Sequence, residues 1–146
     1  MKINLCKIFL PAIILISLNI NSAKSQESLY KRLGGYDAIA AVSDDFIGKL
    51  SADKDLSLLL KGLSADSQKK LRQHFVDFLC NATGGPCLYL GRDMKTAHTG
   101  LNISESNWEI AVNLLAETLN KFKVGAKEKD ELLGAVISLK SQIVGQ

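Results

Sequence analysis

Histidine and cysteine are scarce in this chain: 146 residues contain two histidines, His74 and His98, and three cysteines. No Cys-x-x-Cys pair occurs, and no Cys-x-x-Cys-His run of the kind that attaches haem covalently. Sustained period-two alternation of apolar and polar residues is also missing, so no sheet is expected. Nor is there an internal repeat or a low-complexity tract. Acidic residues are absent from the first 25 positions, which hold three lysines. Setting those positions aside leaves 15 basic and 15 acidic residues, and the apparent basicity of the whole chain (+3) disappears. A chain so balanced gives no reason to propose nucleic acid or an acidic surface as partner.

What is there begins with a segment unlike the rest. Lys2 and Lys7 precede an apolar run from Ile8 to Leu18, shorter than the ~20 residues a membrane-spanning helix needs. Ala23-Lys24-Ser25 offers a small-x-small cleavage site before Gln26, so residues 1–25 read as a secretory signal peptide and 26–146 as the mature domain. Cys6 lies ahead of the apolar run, not where a lipid-bearing cysteine would sit. Export to the periplasm follows, and no stable membrane insertion after cleavage. Cys80 and Cys87 are the two cysteines left, and an oxidising compartment permits a disulfide between them without requiring one.

The mature chain of about 120 residues is enough for one domain with a modest core. A turn at Ser28–Leu33 stops at Gly34-Gly35. Ile39, Val42, Phe46 and Leu50 recur at three- and four-residue steps, predicting a helix over Tyr36–Leu50. A short apolar segment with Leu56 and Leu58–Leu60 closes at Gly62. The next helix, over Asp66–Thr83, is capped by Ser64 or Asp66 and stopped by Gly84-Gly85-Pro86. Its stripe is Leu71, Phe75, Phe78, Leu79 and Ala82, with His74 at the edge of that face. Ser104 then caps a helix carrying Trp108, Ala111, Val112, Leu115, Leu119 and Phe122. Gly125 breaks it, and a last helix turns Leu132, Leu133, Val136, Ile137 and Ile143 inward. The fold class is all-α.

His98 closes a Met-Lys-Thr-Ala-His turn after the Gly/Pro-rich loop. Taken alone it is either a polar residue on a short exposed helix or a metal ligand, and a ligand's second ring nitrogen would need a partner to fix its tautomer. The surrounding motifs bear on the choice. They are Ser28-Leu-Tyr-Lys-Arg-Leu-Gly-Gly35, Asp45-Phe46, Gly84-Gly-Pro86, and Tyr89-x-Gly-Arg-Asp-Met-Lys-x-x-His98. In that order and spacing, residues 28–144 resemble the truncated haemoglobins of group I.

The resemblance implies a truncated globin, a two-over-two helical sandwich around one non-covalent haem b whose iron binds a diatomic gas, oxygen or nitric oxide. It assigns His98 as the proximal iron ligand. Tyr89 matches a tyrosine near a haem propionate. Met94, Ile103 and Trp108 match apolar wall positions, and Phe46, Phe78, Leu79 and Val112 belong to the same wall. The distal side departs from the family's pattern. Ile47 stands where many members have a tyrosine that donates to the gas, Leu71 and Phe75 where they have glutamines, and Leu60 where a phenylalanine props the haem. His74 occupies a position that some cyanobacterial and algal members use as a distal iron ligand. Reversible gas binding is therefore the expected function. A bis-histidine electron-transfer protein, or a nitric oxide dioxygenase or peroxidase-like enzyme served by an electron donor, stays open beside it.

Overall fold

The computed structural model describes residues 27–146. Seven α-helices and a 3-10 turn account for its regular structure, with no strand among the described residues. The predicted signal peptide lies outside them. The first helix, α1 (Leu29–Arg32), is a single turn capped by Ser28, and the Gly34-Gly35 corner leads into α2 (Gly35–Ala52). The short α3 (Ser57–Leu60) is followed by α4 (Ala65–Ala82), which starts where the Ser64 hydroxyl accepts from the Ser67 amide. A further five-residue helix, α5 (Met94–His98), precedes the two that complete the domain, α6 (Glu105–Lys121) and α7 (Ala126–Ile137). A 3-10 turn, Lys140–Gln142, follows α7.

The α2 helix packs against both α4 and α6, and α6 against α7, which gives two helical layers. Spacing in the sequence dictates what lies between them. Ile39, Val42 and Phe46 of α2 meet Val76, Leu79 and Cys80 of α4 and Leu115 and Leu119 of α6, all buried. Leu132 closes this core from α7. Four residues sit differently from the sequence expectation, all at helix ends. Phe122 is the residue after α6 and is 40% exposed, under the ammonium of Lys121. Ala82 ends α4 exposed, and Ile137 ends α7 at 49% exposure. Ile143 is buried as expected, but beyond the 3-10 turn and outside α7. Helical periodicity extrapolates a stripe past the point where capping stops the helix, and these side chains fall there.

Polar pairs fix the layers against each other. The Thr118 hydroxyl, fully buried on α6, donates to Asp45 of α2 at 3.0 Å, and the Lys121 and Lys49 ammoniums both reach the same carboxylate. Lys121 above all holds the Asp45 carboxyl below the usual carboxylate range. Arg72 of α4 clasps Asp44 of α2 through two nitrogens, at 2.5 and 2.8 Å. Arg32 ties α1 to Glu128 and Glu131 of α7.

Truncating Leu119→Ala at the centre of this core costs about 2–5 kcal/mol of stability, read from denaturant midpoints. Asp45 adds stability that is complete above the ordinary carboxylate range and is lost as the pH falls through its depressed folded value. Asp45→Asn is therefore destabilised against the parent at pH 7, with the gap closing in acid. A gap that stays constant from pH 7 to pH 3 would contradict the pairing.

Candidate functional site

Between the layers, at the end of the molecule where α3 and α5 lie, the helices part around a cavity of about 460 Å³. Its size is that of a pocket for a cofactor-sized ligand. Its lining is overwhelmingly apolar. Phe46 and Ile47 come from α2, Leu60 from α3, and Leu71, Phe75, Phe78 and Leu79 from α4. Facing them are Met94 of α5, Ile103 of the next loop, and Trp108 and Val112 of α6. Both histidines line the same cavity, His74 from α4 and His98 from α5, and Tyr89 joins them from the intervening segment. Every site residue named from the sequence is thus on this one surface.

His98 is half-buried, and its imidazole Nδ1 lies 2.7 Å from the Met94 carbonyl oxygen. A carbonyl only accepts, so Nδ1 carries the proton and donates it, and the neutral ring keeps its lone pair on Nε2. That is the tautomer a metal-ligating histidine needs. Among the described residues no group of three or more His, Cys, Asp or Glu side chains could hold a bare metal ion. A metal bound here therefore has to bring further ligands of its own. An apolar cavity with one oriented imidazole fits haem, whose four nitrogens supply them.

A helix of five residues has little stability of its own, and α5 is held from both ends. Asp93 caps it: one carboxylate oxygen accepts from the Thr96 amide at 2.9 Å, the other from the Thr96 hydroxyl at 2.7 Å. These bonds, the amide's first, hold the Asp93 carboxyl below its usual range. The 3-10 turn packs on α5 from the other side. The chain beyond that turn bonds back to the loop after His98, through Gly145 N to Ile103 O and Asn102 N to Gln146 O.

The distal side of the cavity has few donors. Phe75 stacks on Phe46, ring centroids 5.4 Å apart, and fills the position where the resemblance leads one to look for a glutamine. Gln73 is turned away, donating to Tyr36 and Asp77 on the outer face of α4. Tyr89 commits its hydroxyl to the Arg92 carbonyl at 2.6 Å, so the phenol presents its ring to the cavity and has no proton left to give. Burial and then the Asp93 carboxylate raise its pKa, so it stays a donor at neutral pH. His74, exposed on α4, is the side chain on this side of the cavity left with an N–H to offer.

Sequence reasoning passed over two polar residues at this cavity, Arg92 and Asn107. Arg92 lies inside the quoted Tyr89–His98 motif, but the motif alone gave it no role at the cavity. Asn107 completes the α6 capping box with Ser104, a role its three-residue spacing announces. The wall also receives Val136, Leu139 and Ile143 from the C-terminal stretch. Helical period alone cannot show that this stretch folds back over α5.

The chain belongs to the bacterial-like globin family, whose model matches residues 28–144. It is, more narrowly, a group 1 truncated haemoglobin carrying haem b. A group 1 truncated haemoglobin of Mycolicibacterium paratuberculosis is 32% identical over 116 residues, spanning 80% of this chain and 83% of that one. One from Tetrahymena thermophila is 31% identical over 111 residues, 76% of this chain and 86% of its own. The crystal structure of the Tetrahymena pyriformis truncated haemoglobin in its Fe(III) form superposes with a TM-score of 0.75 at 27% identity, covering 82% of this chain and all of that one. The two-over-two helical sandwich is the architecture of the described residues.

Phe75→Gln returns an amide donor to the distal wall. Because a charge-assisted hydrogen bond is worth ~1.5–3 kcal/mol, release of a diatomic gas with superoxide-like character from the haem of this variant is expected to slow roughly ten- to hundredfold in stopped-flow measurements. An unchanged rate would mean that the distal wall already supplies such a bond.

Proposed function

We propose that the protein reversibly binds oxygen or nitric oxide at haem iron, with His98 as the proximal ligand and His74 as the distal group. The observation that carries this is the His98 tautomer: Nδ1 is engaged by the Met94 carbonyl, leaving Nε2 for iron on a ring that lines the cavity. When bound, haem supplies the iron to which a diatomic gas attaches. Everything else falls to the chain. Leu71, Phe75 and Ile47 keep water away from the distal face, and the Phe46–Phe75 stack holds that wall rigid. Met94, Ile103, Trp108 and Val112 form the opposite wall, and Leu60, Phe78 and Leu79 complete the enclosure. Arg92 brings a cation to the mouth, suited to the carboxylates of a haem edge.

Such a wall disfavours chemistry that relies on an oriented, hydrogen-bonded oxygen, and dioxygenase or peroxidase turnover would rest on His74 alone. Electron transfer through a His98–iron–His74 arrangement is the second reading, favoured by the presence of both imidazoles on one cavity. It requires an electron donor, as the enzymatic readings do. For location we propose export to the periplasm. The Cys80–Cys87 disulfide supports it, since such bonds persist in oxidising compartments. Among the described residues no helix is long and apolar enough to cross a membrane.

His98→Gly tests the assignment. The purified variant is expected to lose its Soret band on gel filtration and to regain it when millimolar imidazole fills the vacated space. Full haem retention without imidazole would remove His98 from the iron.

A further inference from the structure

The six residues between Cys80 and Cys87 form a small loop, closed by the disulfide, whose effect extends into the cavity. Residues 87–90 form no backbone–backbone hydrogen bond among the described residues. Leu88 and Leu90 point outward, 72% and 76% exposed, and so add no packing to hold the segment. Its ties are the disulfide, the Asn81 amide donating to the Cys87 carbonyl at 3.1 Å, and whatever Tyr89 contributes. Cys80 is fully buried on α4, so the disulfide fastens the segment to the core.

Glycine makes this approach feasible. A β-carbon at Gly85 would lie 2.7 Å from both the carbonyl oxygen and the sulfur of Cys80, so only glycine lets the loop turn back so closely. Gly91 does the same for Tyr89, whose phenol folds across it to reach the Arg92 carbonyl. Held this way, the Tyr89 ring lies edge-on to two α4 side chains four residues apart, Phe78 at 5.4 Å and His74 at 6.2 Å between centroids. The disulfide is two residues from Tyr89, and Tyr89 flanks the distal histidine.

We propose that Tyr89 is a positioning residue that restrains His74 at the edge of the cavity, and that the Cys80–Cys87 disulfide sets the strength of that restraint. The proposal rests on the reading of His74 as the distal group of a haem cavity. With the bond closed, His74 can swing inward only by giving up its edge contact with Tyr89. With the bond open, residues 87–90 lose their covalent tie, Tyr89 relaxes with them, and the inward position becomes more populated.

A dithiol reductant opens the bond. Its thiolate attacks the sulfur of Cys87, the more accessible of the two, and the S–S electron pair leaves on Cys80, which takes up a proton. The second thiol of the reductant then resolves the mixed disulfide, releasing the Cys87 thiol and leaving the reductant oxidised. Burial of Cys80 makes it a poor leaving group, so opening is slow. The bond therefore records the redox compartment the protein occupies.

The test uses ferric haem-loaded protein, before and after incubation with dithiothreitol, with free thiols counted alongside the absorption spectrum. Because an aromatic edge contact is worth ~0.5–1.5 kcal/mol, reduction is expected to raise the ratio of low-spin six-coordinate to high-spin haem about two- to tenfold. Tyr89→Ala, with its disulfide intact, is expected to reproduce the rise without reductant, and Tyr89→Phe, which keeps the ring edge but not the hydroxyl bond to Arg92, to give a ratio below that of Tyr89→Ala. His74→Ala should abolish the response to dithiothreitol. An unchanged spectrum once two thiols have been counted overturns the proposal, as does an equal response in His74→Ala. A parent protein that shows no Soret band would instead sink the haem-cavity reading beneath it.

Discussion

The site depends on one hydrogen bond, from His98 Nδ1 to the Met94 carbonyl one turn earlier. An unrestrained imidazole exchanges its proton between two nitrogens and rotates about two side-chain torsions. Fixing Nδ1 removes both freedoms and leaves Nε2 as the only available lone pair. The bond holds only if α5 holds, and five residues do not make a stable helix alone. Hence the structure around it: Asp93 capping the start, the 3-10 turn packed alongside, and the last residues bonded across to Ile103 and Asn102. The C-terminal stretch, remote from His98 in sequence, is part of its support.

The opposite wall shows a different economy. Globin sites tune their ligand chemistry through distal donors and access, and this cavity has replaced donors by packing. The Phe46–Phe75 stack occupies space that a polar side chain would need, and the nearby Gln73 satisfies its amide outside with Tyr36 and Asp77. Converting the wall back to a polar one thus means opening a packed aromatic pair as well as adding a donor. His74 is spared because it stands at the edge of α4's buried face, where an imidazole stays hydrated.

Much of this was legible in the sequence. Three- and four-residue spacing gave the helices, since one buried face is all that a two-layer sandwich asks of each. Order and spacing of short motifs brought together fourteen side chains that the fold places on one cavity, although they come from five helices and two connecting segments. What escaped was set by contacts between distant segments. Nothing in a helical pattern says that Ile137 emerges to solvent while Ile143, after a 3-10 turn, is buried beside α5. The Cys80–Cys87 pair was visible as a possibility, but its closure needed the two Cα atoms to come within 5.7 Å, which Gly85 permits. The bond from the Tyr89 hydroxyl to the Arg92 carbonyl, three residues on, likewise has no signature in a helical pattern.

Resonance Raman spectroscopy of the unliganded ferrous protein tests the central claim most directly, through the iron–histidine stretch, which reports both the ligand and the hydrogen bond at its far nitrogen. The account predicts an iron–imidazole band of a neutral histidine whose Nδ1–H is hydrogen-bonded, lost in His98→Gly and recovered with imidazole. A band that survives His98→Gly without imidazole, or one at the position of an imidazolate, would contradict it.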